Sequence, residues 1–162
     1  TLALLALGFG AGLTAGEVAR VRLEDVIVDD DGMLVHVDGG ERGRRLVPVL
    51  VEWEDTLARV LATVEPGQFV FRPDRAKAGK NTVTEFVAKN TQPEVHFQSQ
   101  RVRATWIVRH LRAGTPLQAL LDPAGVKDIE AFGRYVKFLP QVDRASGRSL
   151  LRFASERIGA VR

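Results

Sequence analysis

The alternation of hydrophobic and polar positions in the first quarter of the chain predicts a buried helix, a capped helix and a hairpin. An apolar run over residues 1–8, followed by glycines, predicts the end of a core helix. Thr14 and Glu17 have the spacing of a capping box, in which a hydroxyl and a carboxylate satisfy free N–H groups, so a helix should run from there to about Arg22. Alternating apolar residues on both sides of the turn at residues 30–32 predict an antiparallel hairpin.

The remaining pattern predicts a third strand and then helices to the end of the chain. The strands are expected at Val26–Asp29, 33–38 and 44–49, and Pro48 places the third at an edge of the sheet. Apolar residues that recur every three or four positions predict helices at 52–64, 82–89, 99–113, 116–124, after Asp128 and at 149–161. The sequence therefore predicts an α+β fold, a mainly helical domain with a small three-stranded antiparallel sheet near the N-terminus.

Length and composition indicate one globular domain of 162 residues. The chain has no cysteine, which excludes disulfides and cysteine metal sites and suits a cytoplasmic protein. Its three histidines lack the spacing of metal ligands, so we expect no metal or cofactor.

The opening apolar run lacks a basic flank and is shorter than the ~20 residues that span a bilayer, so we expect no membrane association. Because the chain starts inside an apolar run, at Thr1, we expect an upstream region.

The distribution of charge is more informative than the formal net charge of +3. Acidic residues crowd the first third of the chain, whereas residues 95–121 contain arginines and no acid. Such asymmetry is typical of proteins that bind a polyanion. A solvated basic helix is the alternative interpretation.

Four segments carry a resemblance to a known family. They read, in chain order, GAGLTAGEVARVRLEDV, VDGGERGRRLVPV, QRVRATWIVRHLRAG and LLDPAGVKDIEAFGRY. Together they resemble the catalytic domain of the tyrosine recombinases, or phage integrases, and the resemblance covers nearly the whole chain. In that family a tyrosine attacks a DNA phosphate, two arginines bind the phosphate oxygens, a lysine and a histidine move protons, and a later histidine or tryptophan supports the phosphate.

The resemblance assigns two family functions to residues of the same type in this chain. Tyr135, the only tyrosine, lies nine positions after the residue at the late-histidine position and matches the nucleophile, and Arg103 matches the second arginine. A packed aromatic ring is the alternative for Tyr135. The other four family positions are occupied by Thr14, Gly40, Gln100 and Val126. The capping box gives Thr14 a complete structural role as a helix cap.

The resemblance implies a degenerate domain that binds double-stranded DNA without normal strand transfer. Losing a charge-stabilising donor costs about 10²–10³ in rate, and losing a general acid or base costs about 10²–10⁴. The expected DNA contacts are Arg42, Arg44, Arg45, Arg101 and Arg103. Two alternatives stay open: an active recombinase that uses Tyr135 as nucleophile, and a non-enzymatic interaction domain. In the latter, helix 149–161 would dock on a neighbouring protomer.

Overall fold

A computed structural model of the chain describes residues 1–39, 43–79, 81–90 and 98–158. It is a mainly helical α+β domain with a three-stranded antiparallel sheet, which confirms the predicted fold class. The helices are α1 (Leu2–Leu5), α2 (Ala15–Val18), α3 (Val51–Leu61), α4 (Thr82–Asn90), α5 (Ser99–Ala113), α6 (Leu117–Leu121), α7 (Arg144–Arg152) and α8 (Ala154–Ile158). The strands are β1 (Val26–Asp29), β2 (Gly32–Asp38) and β3 (Arg44–Pro48).

The first helix is the centre of the core. It continues past α1 as a π-helical segment, Ala6–Gly10, so it does not end at residue 8 as the sequence predicted. Its glycines allow close packing instead: a Cβ at Gly8 would lie 2.6 Å from the side chain of Val102 on α5. A Cβ at Gly12, which has a φ of +62°, would clash with the ring of Trp106.

The sheet has the order β1-β2-β3, and its alternating residues separate an inner from an outer face. Val35 pairs with Val26 on one side and with Val47 on the other, and Val35, Val37 and Val47 are fully buried. The expected turn at residues 30–32 is present, and Gly32 supplies its positive φ of +121°. β3 is an edge strand, as the proline predicted.

Helix α5 has the predicted bounds and packs against the π-helical segment, and its Trp106 and Ile107 are almost fully buried. It ends at Gly114, whose left-handed φ of 73° closes the last turn. The capping box at Thr14 is also present, but α2 ends at Val18, four residues before the predicted end. Among the described residues, no helix is long and apolar enough to cross a membrane.

The last third of the chain departs most from the prediction. The helix after Asp128 is a 3₁₀ helix, Ile129–Phe138, and Asp128 makes no side-chain cap. The buried residues of this helix are Phe132 and Tyr135, whereas Val136 is 60% exposed. Three residues per turn place side chains three apart on one face, which brings Phe132 and Tyr135 together.

The final helix was also predicted with the wrong bounds. α7 begins at Arg144, where Asp143 caps it by accepting hydrogen bonds from the N–H groups of Ala145 and Ser146, and the helix breaks at Phe153 before α8. Neither helix buries a residue in the described chain. The end of the predicted segment, residues 159–161, lies outside the described residues.

Candidate DNA-binding cleft

A cleft of about 590 Å³ opens where three elements meet. Its walls are the start of α2, the start of α5 and the 3₁₀ helix Ile129–Phe138. The described residues that line it include three arginines and no acid. They are Thr14, Ala15, Gly16, Gln98, Ser99, Gln100, Arg101, Arg103, Ala104, Arg134 and Tyr135.

Thr14 forms one edge of the cleft through the capping box. Its backbone N–H donates to Oε2 of Glu17 at 2.8 Å, and the N–H of Glu17 donates to the Thr14 hydroxyl at 3.4 Å. The hydroxyl is thus used to begin α2, and the position carries no charge. A threonine here shapes the cleft but cannot neutralise an anion.

The hairpin is joined to this edge by a buried ion pair. Nη1 of Arg45 lies 2.9 Å from Oε1 of Glu17, and both side chains are 1% exposed. Nε of Arg45 donates to the carbonyl of Pro123 at 2.9 Å. Burial raises the pKa of the Glu17 carboxyl, but the hydrogen bonds and charge of Arg45 and the N–H of Thr14 lower it by more, so the pKa lies below its ordinary value. The DNA contact expected of Arg45 is therefore replaced by an interior ion pair.

Arg103 forms the floor of the cleft. The residue is 9% exposed. Nη1 donates to the carbonyl of Gly12 at 2.6 Å, and Nη2 donates to the carbonyl of Ala124. These two bonds tie α5 to the turn before α2 and to the turn after α6, so the guanidinium is rigidly placed where it lines the cleft.

Tyr135 and its neighbour Arg134 form the third wall. Tyr135 is 6% exposed, and its phenol oxygen accepts a hydrogen bond from Nη2 of Arg134 at 2.8 Å. The Arg134 guanidinium also lies over the ring, 4.9 Å from its centroid. Sequence reasoning missed Arg134, because residues adjacent on a helix ordinarily point to different faces. The only available signal was its position next to the single tyrosine.

Comparison with solved structures identifies the architecture. The chain is similar to the XerA recombinase with a TM-score of 0.64 and 16% identity, over 96% of this chain and 57% of that one. It is similar to the Tn1549 transposon integrase in complex with circular intermediate DNA, with a TM-score of 0.57 and 16% identity over 93% of this chain and 58% of that one. The chain has the catalytic-domain fold of tyrosine recombinases.

A third structure with this recombinase fold is the XerH site-specific recombinase bound to palindromic difH substrate. The TM-score is 0.60 with 14% identity, over 95% of this chain and 44% of that one. The chain thus spans less than two thirds of each of these recombinases. No family model and no curated protein sequence matches the chain.

Within the recombinase fold, the cleft brings together five of the residues that the sequence singled out: Thr14, Gln100, Arg101, Arg103 and Tyr135. Val126 does not line it and packs, half-buried, against the hydrophobic core.

The predicted hairpin residues do not line this cleft in the part of the chain that the structure describes. Arg44 is exposed and lines a separate cleft, where Asp25 and Asp38 stand among the cations Arg20, Arg22 and Lys77. Gly40 and Arg42 lie outside the described residues. Within the described ranges, no group of three or more His, Asp or Glu side chains is arranged to hold a metal ion.

Proposed function

We propose that this recombinase-like domain binds duplex DNA by seating a backbone phosphate in the cleft between Thr14, Arg103 and Tyr135. The observation that carries the proposal is the shared cleft of the single tyrosine and the matched arginine, lined by basic side chains and no described acid. DNA is the polyanion that two of the similar structures hold, since the Tn1549 integrase and XerH were both solved with DNA.

The charge and shape of the cleft favour a phosphate over a base. Arginine binds phosphate oxygens through parallel N–H donors, and such contacts fix the position of a protein on DNA without reading its sequence. Arg101 is exposed at the mouth of the cleft and Arg103 is fixed at its floor. Arg44 is exposed on the hairpin, and Arg42 stays a proposed DNA contact on the sequence resemblance alone.

The proposed domain does not perform normal strand transfer. Four positions support this, because they lack the groups that the family uses for cleavage. Thr14 and Val126 carry no charge, Gly40 has no side chain, and Gln100 cannot move a proton. Each missing group ordinarily costs about two orders of magnitude or more in rate. Binding requires only cations, which the cleft retains, whereas cleavage also requires proton transfer.

A second role, self-association, is supported by the exposed C-terminal helices. Leu151 is 80% exposed and Ile158 is 76% exposed, and α7 and α8 bury no described residue in their own domain. An amphipathic segment left uncovered in this way suits docking on a second copy of the chain. We propose that residues 149–161 make a contact between protomers.

The test of DNA binding is its salt dependence. Phosphate contacts from Arg44, Arg101 and Arg103 contribute about −2.7 to the slope of log affinity against log salt, which alone makes binding roughly 40-fold weaker at 200 mM than at 50 mM. Fluorescence anisotropy with a labelled duplex measures this slope. Arg101→Ala should reduce the slope by about 0.9.

The matched control is Arg59→Ala, which removes the same charge from α3. Its guanidinium donates to the carbonyl of Asp55 and to the hydroxyl of Thr56, and it does not line the cleft. It should leave the slope unchanged. No binding at low salt, or a slope near zero, would contradict the proposed function.

A further inference from the structure

The cleft holds a cation that the family resemblance does not assign. A phosphate seated beside the phenol needs guanidinium groups around its oxygens, and the position of the first of them is occupied by uncharged Thr14. Arg103 directs both of its terminal nitrogens to backbone carbonyls, those of Gly12 and Ala124. Of the two arginine positions of the family, the cleft therefore keeps only Arg103, and Arg103 also holds two backbone carbonyls.

Arg134 supplies a guanidinium at the place where it is needed. Its Nη2 lies 2.8 Å from the phenol oxygen of Tyr135. Because the guanidinium carries five N–H donors, it can hold the phenol and a phosphate oxygen together. Any phosphate brought against the phenol oxygen lies beside this guanidinium.

The local conformation fixes Arg134 toward the cleft. In a regular helix two adjacent side chains diverge, yet here the guanidinium folds over the ring of Tyr135, 4.9 Å from the ring centroid. This cation–π contact and the hydrogen bond to the phenol hold an exposed side chain in one place. Arg134 is thus pre-positioned for an anion, whereas most exposed arginines are not.

We infer that Arg134 is a phosphate-binding residue of the cleft and replaces the guanidinium absent at Thr14. The inference rests on the proposed function, since it requires that a DNA phosphate enters this cleft. It extends that function by naming a contact that neither the family resemblance nor the charge pattern of the sequence predicts.

The test measures duplex binding by the full chain and by three variants: Arg134→Ala, Arg134→Lys and the control Arg59→Ala. Loss of one charge-assisted hydrogen bond should weaken binding about tenfold in Arg134→Ala, and loss of one phosphate contact should reduce the salt slope by about 0.9. Arg134→Lys should keep the slope and recover part of the affinity, because lysine keeps the charge but not the fork of donors. Arg59→Ala should bind as the unaltered chain does.

A second measurement locates the contact. Tyr135 is the only tyrosine, so incorporation of 3-fluorotyrosine gives a single fluorine resonance that reports on the cleft. Saturating duplex should shift this resonance in the unaltered chain and in Arg59→Ala, and the shift should be smaller in Arg134→Ala. Thermal unfolding of each variant confirms that the exposed substitution leaves the fold intact.

The outcomes separate this inference from the proposed function. If the unaltered chain binds DNA with a steep salt slope and Arg134→Ala behaves as Arg59→Ala does, the inference is overturned and the proposed function stands. If Arg134→Lys recovers neither slope nor affinity, Arg134 acts by packing and the inference is again overturned. If the unaltered chain does not bind duplex, both fail.

Discussion

Arg45 and Glu17 meet in the interior of the domain, with Nη1 of the arginine 2.9 Å from Oε1 of the glutamate. The pair joins the edge strand β3 to the start of α2, and Arg45 continues to the carbonyl of Pro123 in the turn after α6. Three parts of the chain that are distant in sequence are thus joined at one charged contact. Because the same glutamate caps α2 beside Thr14, the pair also fixes one edge of the cleft.

Removing one partner of this pair should be strongly destabilising. Glu17→Gln leaves the Arg45 charge buried without its counterion, and such losses ordinarily cost about 3–5 kcal/mol of unfolding free energy. Urea denaturation followed by circular dichroism measures the change. Glu17→Leu combined with Arg45→Met should cost less than Glu17→Gln alone, because it removes both buried charges.

The exposed pair between Arg109 and Glu52 provides the control. Its nitrogen and oxygen are 2.5 Å apart, but the side chains are 55% and 42% exposed. Glu52→Gln should therefore cost less than about 1 kcal/mol. Equal losses at Glu17 and Glu52 would contradict the structural importance of the interior pair.

The domain should also become less stable as the pH is lowered, because the Glu17 carboxylate becomes protonated. Its pKa is lowered in the folded domain, mainly because the interactions with Arg45 and Thr14 outweigh burial, so the stabilisation is complete above the ordinary glutamate pKa. It should be lost as the pH falls from that value through the lower pKa of the folded state. The difference in unfolding free energy between the unaltered chain and Glu17→Gln, measured at pH 7 and near pH 3, should shrink at the lower pH.

Taking this difference removes the contributions of other titrating groups. The pKa of Asp143 is also lowered, chiefly by its hydrogen bonds to Ser146, but that residue is present in both proteins. A difference that stays constant over this pH range would show that Glu17 does not titrate with folding.

Local signals in the sequence predicted the elements that depend on neighbours in the chain. The capping box at Thr14, the turn at Gly32 and the end of α5 at Gly114 each follow from a few adjacent residues, and each is present. The valines of β2 alternate because one face of the sheet packs on the core. Fold class and most element positions could therefore be read from the pattern.

The parts that could not be predicted depend on long-range contacts. Arg45 is charged and lies on an edge strand, so the pattern favoured a surface position, and only the partner Glu17, 28 positions earlier, makes burial possible. The 3₁₀ geometry of Ile129–Phe138 changed which residues share a face, which buried Tyr135 and brought Arg134 into the cleft. Sequence periodicity at 3.6 residues per turn could not show either result.

Tyr135 should not form a covalent bond to DNA if strand transfer is absent, as we propose. The measurement incubates the chain with nicked suicide duplexes, which trap a phosphotyrosyl intermediate, and looks for a slower band on denaturing gels. We expect no adduct from the unaltered chain or from Tyr135→Phe. An adduct that Tyr135→Phe abolishes would establish the alternative, an active recombinase with Tyr135 as nucleophile.

Removing the C-terminal segment should change assembly without changing stability. A chain that ends at Gly147 lacks the exposed apolar residues Leu150, Leu151, Phe153 and Ile158, none of which is buried in the domain. Because no described core contact is lost, the unfolding free energy should change by less than about 0.5 kcal/mol. Light scattering should give a monomer for the shortened chain and a larger species for the full chain at the same concentration. Equal masses for the two chains would remove the support for self-association, and a large loss of stability would mean that the segment packs on its own domain.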